Sequence, residues 1–322
     1  MRALRFERTG SLDALHVAEI DTPIPGASEA LVRVRAAGMN PSDVKNVLGR
    51  FHETTVPRTP GRDFAGVVEI GPEEWIGREV WGTGSELGFT HDGAHAEYML
   101  MPVSGLTLKP ASLTLAQAAS CGVPYTTAWN ALRRGGLVVE GRRVVIIGAG
   151  AVGSAAISLA RVLGTSQLLA AVREADLSDS LRASGPPLVL LTDAKTFASD
   201  VREHFADGAD LIFDTTGYWV DAAVGAISHF GRIVTIAAPK DGHVNLPLLD
   251  LYRAGGVLVG VNSLLYDVEA CAEMLEPIAE AFDLGEIPPP APAREASLDE
   301  APEVYRAVDA GSSEKVVFVM RG

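Results

Sequence analysis

Three glycines, Gly148, Gly150 and Gly153, stand at the G-x-G-x-x-G spacing that binds the pyrophosphate of a dinucleotide. Gly148 permits a tight turn, Gly150 lets the backbone approach the phosphates closely, and Gly153 allows a helix to pack against the preceding strand. Ala151 and Val152 then open that helix, whose N-terminal N–H groups face the anion. About 20 residues further on, such sites use an acid to hold the ribose 2′-hydroxyl. Here the position falls on Val172, followed by Arg173. Valine cannot hydrogen-bond a ribose, whereas arginine pairs with a 2′-phosphate, which favours NADPH over NADH. A strand end displaced by one residue would bring Glu174 or Asp176 into play instead. His91 and His95 have metal-pair spacing, but Gly93 breaks any helix between them and no third ligand is evident, so they read as loop histidines.

The elements that must position these groups are legible as a change of period. Short β-type runs fill the first third of the chain: Leu15–Ile20, Glu29–Arg35, Phe64–Ile70, Glu79–Trp81 and Ala94–Met101. In Leu31-Val32-Arg33-Val34-Arg35 the valines alternate with arginines, as in a strand with one face in a core and one in water. From Leu115 helical spacing takes over, with Leu115–Cys121 and Thr126–Leu132 as helices. Strands then alternate with helices: Val144–Ile147, Leu168–Val172, Leu188–Leu191, Leu211–Phe213, Ile233–Ile236 and Val257–Val261. Alternation of this kind predicts a doubly wound parallel sheet. A long helix at Asp267–Phe282, a short one at Ala301–Val308 and a strand at Val316–Met320 complete the pattern. The expected organisation is α/β, with a compact β-rich domain at 1–113, a nucleotide domain at 114–264 and a segment at 265–322 that returns to the first domain.

Composition narrows the partners. A net charge of -14 and the lack of basic runs argue against nucleic acid. No apolar stretch of about 18 residues is present to span a bilayer. Met1 leads straight into strand-like Arg2-Ala3-Leu4-Arg5-Phe6 rather than a signal peptide. The two cysteines, Cys121 and Cys271, read as reduced core thiols, and a cytoplasmic location is expected. If Val257–Val261 lies at a sheet edge, its unpaired backbone suits a second copy, and a homodimer is expected.

Six segments together resemble the medium-chain dehydrogenase/reductase superfamily, nearest its zinc-free quinone oxidoreductases. They are Ala36–Asp43, Pro60–Val68, Asp92–Tyr98, Tyr125–Trp129, the glycine fingerprint and Phe213–Gly217. The resemblance implies a GroES-like catalytic domain closed by the C-terminal tail, with a Rossmann domain inserted. Zinc-dependent members place a cysteine and a Gly-His-Glu histidine where this chain has Asn40 and Arg62-Asp63, and they carry a four-cysteine loop that is missing here. Asparagine is a poor zinc ligand and arginine has no free lone pair, so a Cys/His zinc site cannot be assembled.

Hydride transfer without a Lewis acid restricts the acceptor to conjugated molecules such as quinones and enones. By the same resemblance Asn40 is a candidate donor to an acceptor carbonyl or to the cofactor ribose, or else a turn residue before Pro41. Arg62 either binds an acceptor oxygen or forms a structural ion pair with Asp63 and Asp43. Tyr125 is either a proton donor or a packed tyrosine. Thr127, Thr215, Ala237, Ala238, Asn262 and Ser263 are carried over as cofactor-binding positions. The leading expectation is an NADPH-dependent, zinc-independent quinone reductase. The alternatives are an enone or enoyl reductase and a non-enzymatic NADPH-binding protein.

Overall fold

The computed structural model describes residues 1–51, 53–136, 141–165, 167–177, 181–182 and 185–320. They form two compact units, Met1–Thr126 with Ser263–Gly322, and Thr127–Asn262. Residues 114–126, grouped by their helical period with the nucleotide domain, belong to the first unit.

The first unit opens with an antiparallel pair, β1 (Arg2–Arg5) and β2 (His16–Glu19). β3 (Glu29–Gly38) follows, then β4 (Asp63–Ile70), β5 (Glu79–Gly82), β6 (Tyr98–Pro102) and β7 (Thr107–Leu108). Val32 and Val34 are buried and Arg33 and Arg35 half-buried, the alternation that a strand with one core face requires. The expected strand Ala94–Met101 is only half realised. Ala94 and His95 donate their N–H groups to the carbonyls of Gly61 and Pro60 (2.9 and 3.0 Å), and the loop this makes replaces the first half of the ladder.

Among the described residues the second unit carries six strands: β8 (Arg143–Ile147), β9 (Gln167–Val172), β10 (Leu188–Leu190), β11 (Ala209–Asp214), β12 (Ile227–Thr235) and β13 (Val257–Gly260). All neighbouring strands are parallel, in the order β10-β9-β8-β11-β12-β13. Numbered within the unit this is 3-2-1-4-5-6, the doubly wound order of dinucleotide-binding sheets, and the order reverses between β8 and β11. Val145, Ile147, Leu169, Ile212 and Ile233 meet in one core, which explains why these strands read as continuous apolar runs.

The chain then returns to the first unit through the helix Val268–Asp283. Asp267 caps it by accepting the Ala270 N–H (2.9 Å). Cys271, Leu275, Ile278 and Phe282 recur at helical spacing on its buried face. β14 (Arg294–Ala296), the helix Ala301–Asp309 and β15 (Val316–Val319) follow. The sheet runs β14-β15-β3-β4-β5-β7, with β6 also paired to β3. β3 thus shares one edge between two partners: Glu29–Arg33 with β6, and Ala36–Gly38 with β15. Among the described residues no helix is long and apolar enough to cross a membrane.

Candidate active site and nucleotide loop

The glycine loop lies at the reversal of strand order in the second unit. Gly148 leaves β8 at φ +96°, a left-handed value that a side chain rarely adopts, and a Cβ there would fall 2.4 Å from Thr215 Oγ1. Thr215 is fixed in turn, since its hydroxyl donates to the Ile147 carbonyl at 2.7 Å. A Cβ on Gly153 would fall 2.0 Å from the Gly148 carbonyl oxygen, which is the close helix-to-strand approach expected of the third glycine. Gly150 caps the helix Ala151–Val162 with no side-chain hydrogen bond, and a Cβ there would meet nothing within 4 Å. The N–H groups of Ala151 and Val152 precede the first intrahelical donor, the Ser154 N–H that bonds the Gly150 carbonyl at 2.9 Å, and so are free to cradle an anion.

A dinucleotide fits these residues on a second observation as well. Thr127 is buried in the helix Gly122–Arg134, and its hydroxyl has no partner among the described residues. Its neighbour Thr126, by contrast, donates back to the Gly122 carbonyl at 2.9 Å. β9 ends at Val172, without the displacement that would bring an acid to its end. Arg173 is exposed and pairs in bidentate fashion with Asp176, Nε to Oδ2 at 2.6 Å and Nη2 to Oδ1 at 3.0 Å. Such an exposed pair contributes little stability. Ala237 and Ala238 lie exposed just beyond β12, and the Ala237 carbonyl accepts the Thr235 hydroxyl at 2.8 Å. Asn262 is exposed at the end of the unit.

Asp214 shapes the turn that holds Thr215. One carboxylate oxygen accepts the Thr216 N–H, the Thr216 hydroxyl and the Gly217 N–H (2.8, 2.7 and 3.0 Å), and the other accepts the Trp219 N–H at 2.8 Å.

The polar centre of the first unit forms where β3 ends. Asn40 caps the helix Pro41–Val47, whose Asp43 side chain reaches back to the Asn40 N–H at 2.9 Å. The Asn40 side chain turns elsewhere. Its Nδ2 donates to Asp63 Oδ2 at 2.8 Å and its Oδ1 accepts from Lys315 Nζ at 3.2 Å. Asp63 also receives the Val123 N–H at 2.8 Å. Arg62 is fully buried and directs its donors to the Gly84 carbonyl (2.9 Å), the Ser263 hydroxyl (3.0 Å) and the Ser263 carbonyl (3.2 Å), not to either carboxylate. The carried-over Ser263 therefore stands against Arg62 in the first unit. Tyr125 is buried with its ring against Phe282 at 5.2 Å.

Burial, reinforced by the charge of Asp63, pushes the Asp43 carboxyl up to about 7. Its Oδ1 has no partner among the described residues. His95 lies in a loop, as expected, but is fully buried there, and burial brings its imidazole down to about 4. Because the Gly38 carbonyl can only accept, Nε2 carries the proton and donates to it at 3.2 Å, while Nδ1 accepts from the Tyr305 hydroxyl at 2.9 Å. Both cysteines are free and buried, and burial pushes each thiol up to about 12.

The donor set does not fit a catalytic zinc. Arg62 has no lone pair to give, Asn40 is held by Asp63 and Lys315, and among the described residues no three His, Cys, Asp or Glu side chains are grouped to hold a metal ion. Lys315 was not legible as a site residue. Only the register of β15 against β3 brings it to Asn40.

Family models match at both ends of this architecture. Residues 26–111 match the alcohol dehydrogenase GroES-like domain, and residues 151–280 match the zinc-binding dehydrogenase model. The chain is 34% identical to a zinc-type alcohol dehydrogenase-like protein of Schizosaccharomyces pombe, over 88% of this chain and 85% of that one. It is 30% identical to the 2-methylene-furan-3-one reductase of Solanum lycopersicum, over 73% of this chain and 62% of that one. It is 26% identical to a human quinone oxidoreductase, over 90% of this chain and 88% of that one. A split GroES-like unit, a 3-2-1-4-5-6 sheet with its glycine loop, and relatives named for dehydrogenase and reductase activities place this chain in the medium-chain dehydrogenase/reductase superfamily of oxidoreductases.

Proposed function

We propose that this protein is a zinc-independent, NADPH-dependent oxidoreductase that transfers hydride to quinones. The observation that carries the reading is the bonding of Asn40 and Arg62. Both residues at the zinc-ligand positions are held by protein partners, and neither is a metal ligand of the Cys/His kind. Reduced nicotinamide, when bound, supplies a hydride, and an acceptor with no Lewis acid to polarise it must bring its own conjugation. Ala151, Val152 and the open space at Gly150 would hold the pyrophosphate, and the unpartnered Thr127 hydroxyl would find its acceptor there. Asn40 keeps one N–H beyond its bond to Asp63, which suits a developing oxyanion. Quinone, NADPH and one proton give hydroquinone and NADP⁺.

The test is oxidation of NADPH by a simple benzoquinone, before and after exhaustive dialysis against a chelator. Turnover that survives chelation is expected. No rate above the uncatalysed background, or a rate lost on chelation and restored by zinc, would overturn the reading. For the cofactor, Val172 at the ribose position and Arg173 beside it support NADPH. Arg173→Ala should weaken NADPH binding roughly tenfold, the worth of a charge-assisted hydrogen bond, and leave NADH binding unchanged. Equal dissociation constants for the two nucleotides in the parent protein would count against it.

A second reading, reduction of a conjugated carbon-carbon double bond, is favoured by one observation. An enone needs a proton at its α-carbon as well as a hydride, and the Lys315 ammonium stands beside Asn40 as a proton source. Relative turnover of a quinone and an enone on one preparation separates the two.

We also read the protein as a homodimer. β13 is an edge strand of its sheet, and Val257 and Leu258 on it and Leu248, Leu249 and Tyr252 on the helix Leu248–Ala254 are exposed.

A further inference from the structure

β3 and β15 run antiparallel with Gly38 opposite Val317. One step past the ladder, the Met39 N–H donates to the Val316 carbonyl at 3.0 Å. The next step brings Lys315 against Asn40. Its ammonium donates to the Met39 carbonyl and to Asn40 Oδ1, each at 3.2 Å. The third N–H of that ammonium has no partner among the described residues.

This arrangement fixes the Asn40 amide in one orientation. Its oxygen faces an ammonium and its nitrogen faces the Asp63 carboxylate at 2.8 Å. Turned by half a revolution, the amide would set NH₂ against NH₃⁺ and oxygen against oxygen, and both contacts would become repulsive. Take away the ammonium and only one of the two restraints remains. Arg62 is no substitute, because its guanidinium is bonded to Gly84 and Ser263.

We propose that Lys315 is the positioning residue of this site: it locks the Asn40 amide with its remaining N–H presented to the acceptor's carbonyl oxygen. The assignment rests on the hydride-transfer reading above. The charged and titratable groups gathered on this centre are Asp43 from the helix Pro41–Val47, Arg62 and Asp63 at the start of β4, Cys121, Tyr305 and His95 behind Gly38, and Lys315 itself. Lys315 and Arg62 are the two cationic side chains of this centre, set among the carboxyl groups of Asp63 and Asp43. Loss of Lys315 therefore removes one of two cations as well as the amide's restraint.

The experiment compares the parent protein with Lys315→Met, Lys315→Gln, Lys315→Arg, Asn40→Ala and the double variant Lys315→Met/Asn40→Ala. Lys315→Met should lower kcat for quinone reduction about tenfold to a hundredfold, with the NADPH dissociation constant within about twofold of the parent. Lys315→Arg should recover part of the loss. In the double variant the Lys315 substitution should add little to Asn40→Ala, because Lys315 acts through that amide. Lys315→Gln, which keeps a neutral donor of similar reach, serves if the methionine variant does not fold. A separate readout needs no turnover: with ¹⁵N-labelled asparagine, the Asn40 side-chain amide resonances should shift or broaden in Lys315→Met and hold in Lys315→Arg. Unchanged kcat in folded Lys315→Met, fully additive effects in the double variant, or amide resonances indifferent to Lys315 would each overturn the proposal. If the amide responds as expected while the parent protein reduces neither quinone nor enone, the functional reading fails and the positioning role stands.

Discussion

At the scale of single residues, Asp43 and His95 act on stability with opposite signs. Asp43 titrates near 7 in the folded chain, well above the ordinary aspartate value of 3.8. Its proton favours the folded state in acid, and that contribution is lost as pH rises from about 4 through 7. His95 titrates near 4, below the ordinary 6.5, so its contribution is complete above 6.5 and is lost as pH falls toward 4. Between about pH 4 and 6.5 the two oppose each other, and the parent protein should show only a shallow dependence there. Asp43→Asn, which keeps an acceptor for the Asn40 N–H, should remove the descending contribution alone. Its stability should rise with pH through that window and stay level toward pH 8, a divergence from the parent on the order of a few kcal/mol. Urea unfolding at half-unit pH steps checks this, and parallel curves for the two proteins would rule it out.

At the scale of elements, the fingerprint glycines separate folding from binding. A methyl group on Gly153 would collide with backbone that cannot move aside, whereas one on Gly150 would enter open space at φ -69°. Gly153→Ala should cost about 2 kcal/mol or more of stability, as a forced separation of packed backbone does. Gly150→Ala should melt with the parent and bind NADPH at least tenfold more weakly, because the methyl stands where phosphate must come. A melting curve and a nucleotide titration on each variant suffice, and a Gly150→Ala protein with undiminished affinity would move the pyrophosphate elsewhere.

Legibility in the sequence follows the same division. The central strands β8, β9 and β11 were readable because they are buried on both faces and their runs are continuously apolar. β12 was the exception. It begins at Ile227, six residues before the apolar run that marks it, and its register against β11 shifts around a segment where Phe230 adopts φ +61°. Such a bulge leaves no periodic trace. In the first unit Asn40 and Arg62 could be named from matched motifs, but their bonding could not. Asn40 is held by a lysine from the far end of the chain and Arg62 by Ser263, partners that only the strand register and the returning segment bring close.

At the scale of the whole molecule, the prediction concerns assembly. Tyr252 and Leu248 are about two-thirds or more exposed, and they adjoin in sequence the edge strand that carries Leu258. Burying this face against a second copy would pair the unpaired backbone of β13 and cover these side chains. Sedimentation should give twice the 33.9 kDa chain mass, and Leu258→Lys or Tyr252→Glu should shift the protein toward monomer without lowering its secondary structure. A parent protein that sediments as a monomer at micromolar concentration would dismiss the reading.

The seam between β3 and β15 also has a consequence for biosynthesis. The unit Thr127–Asn262 is continuous in sequence and can collapse as soon as its own residues leave the ribosome. The Ala36–Gly38 edge of β3 has no partner until Val317–Val319, far downstream in the sequence, has been made. Throughout that interval the edge is bare, a template for mispairing with any neighbouring nascent chain. Protection of the nascent chain is thus needed at this edge of β3, and the need ends when the segment that follows Lys315 pairs with it.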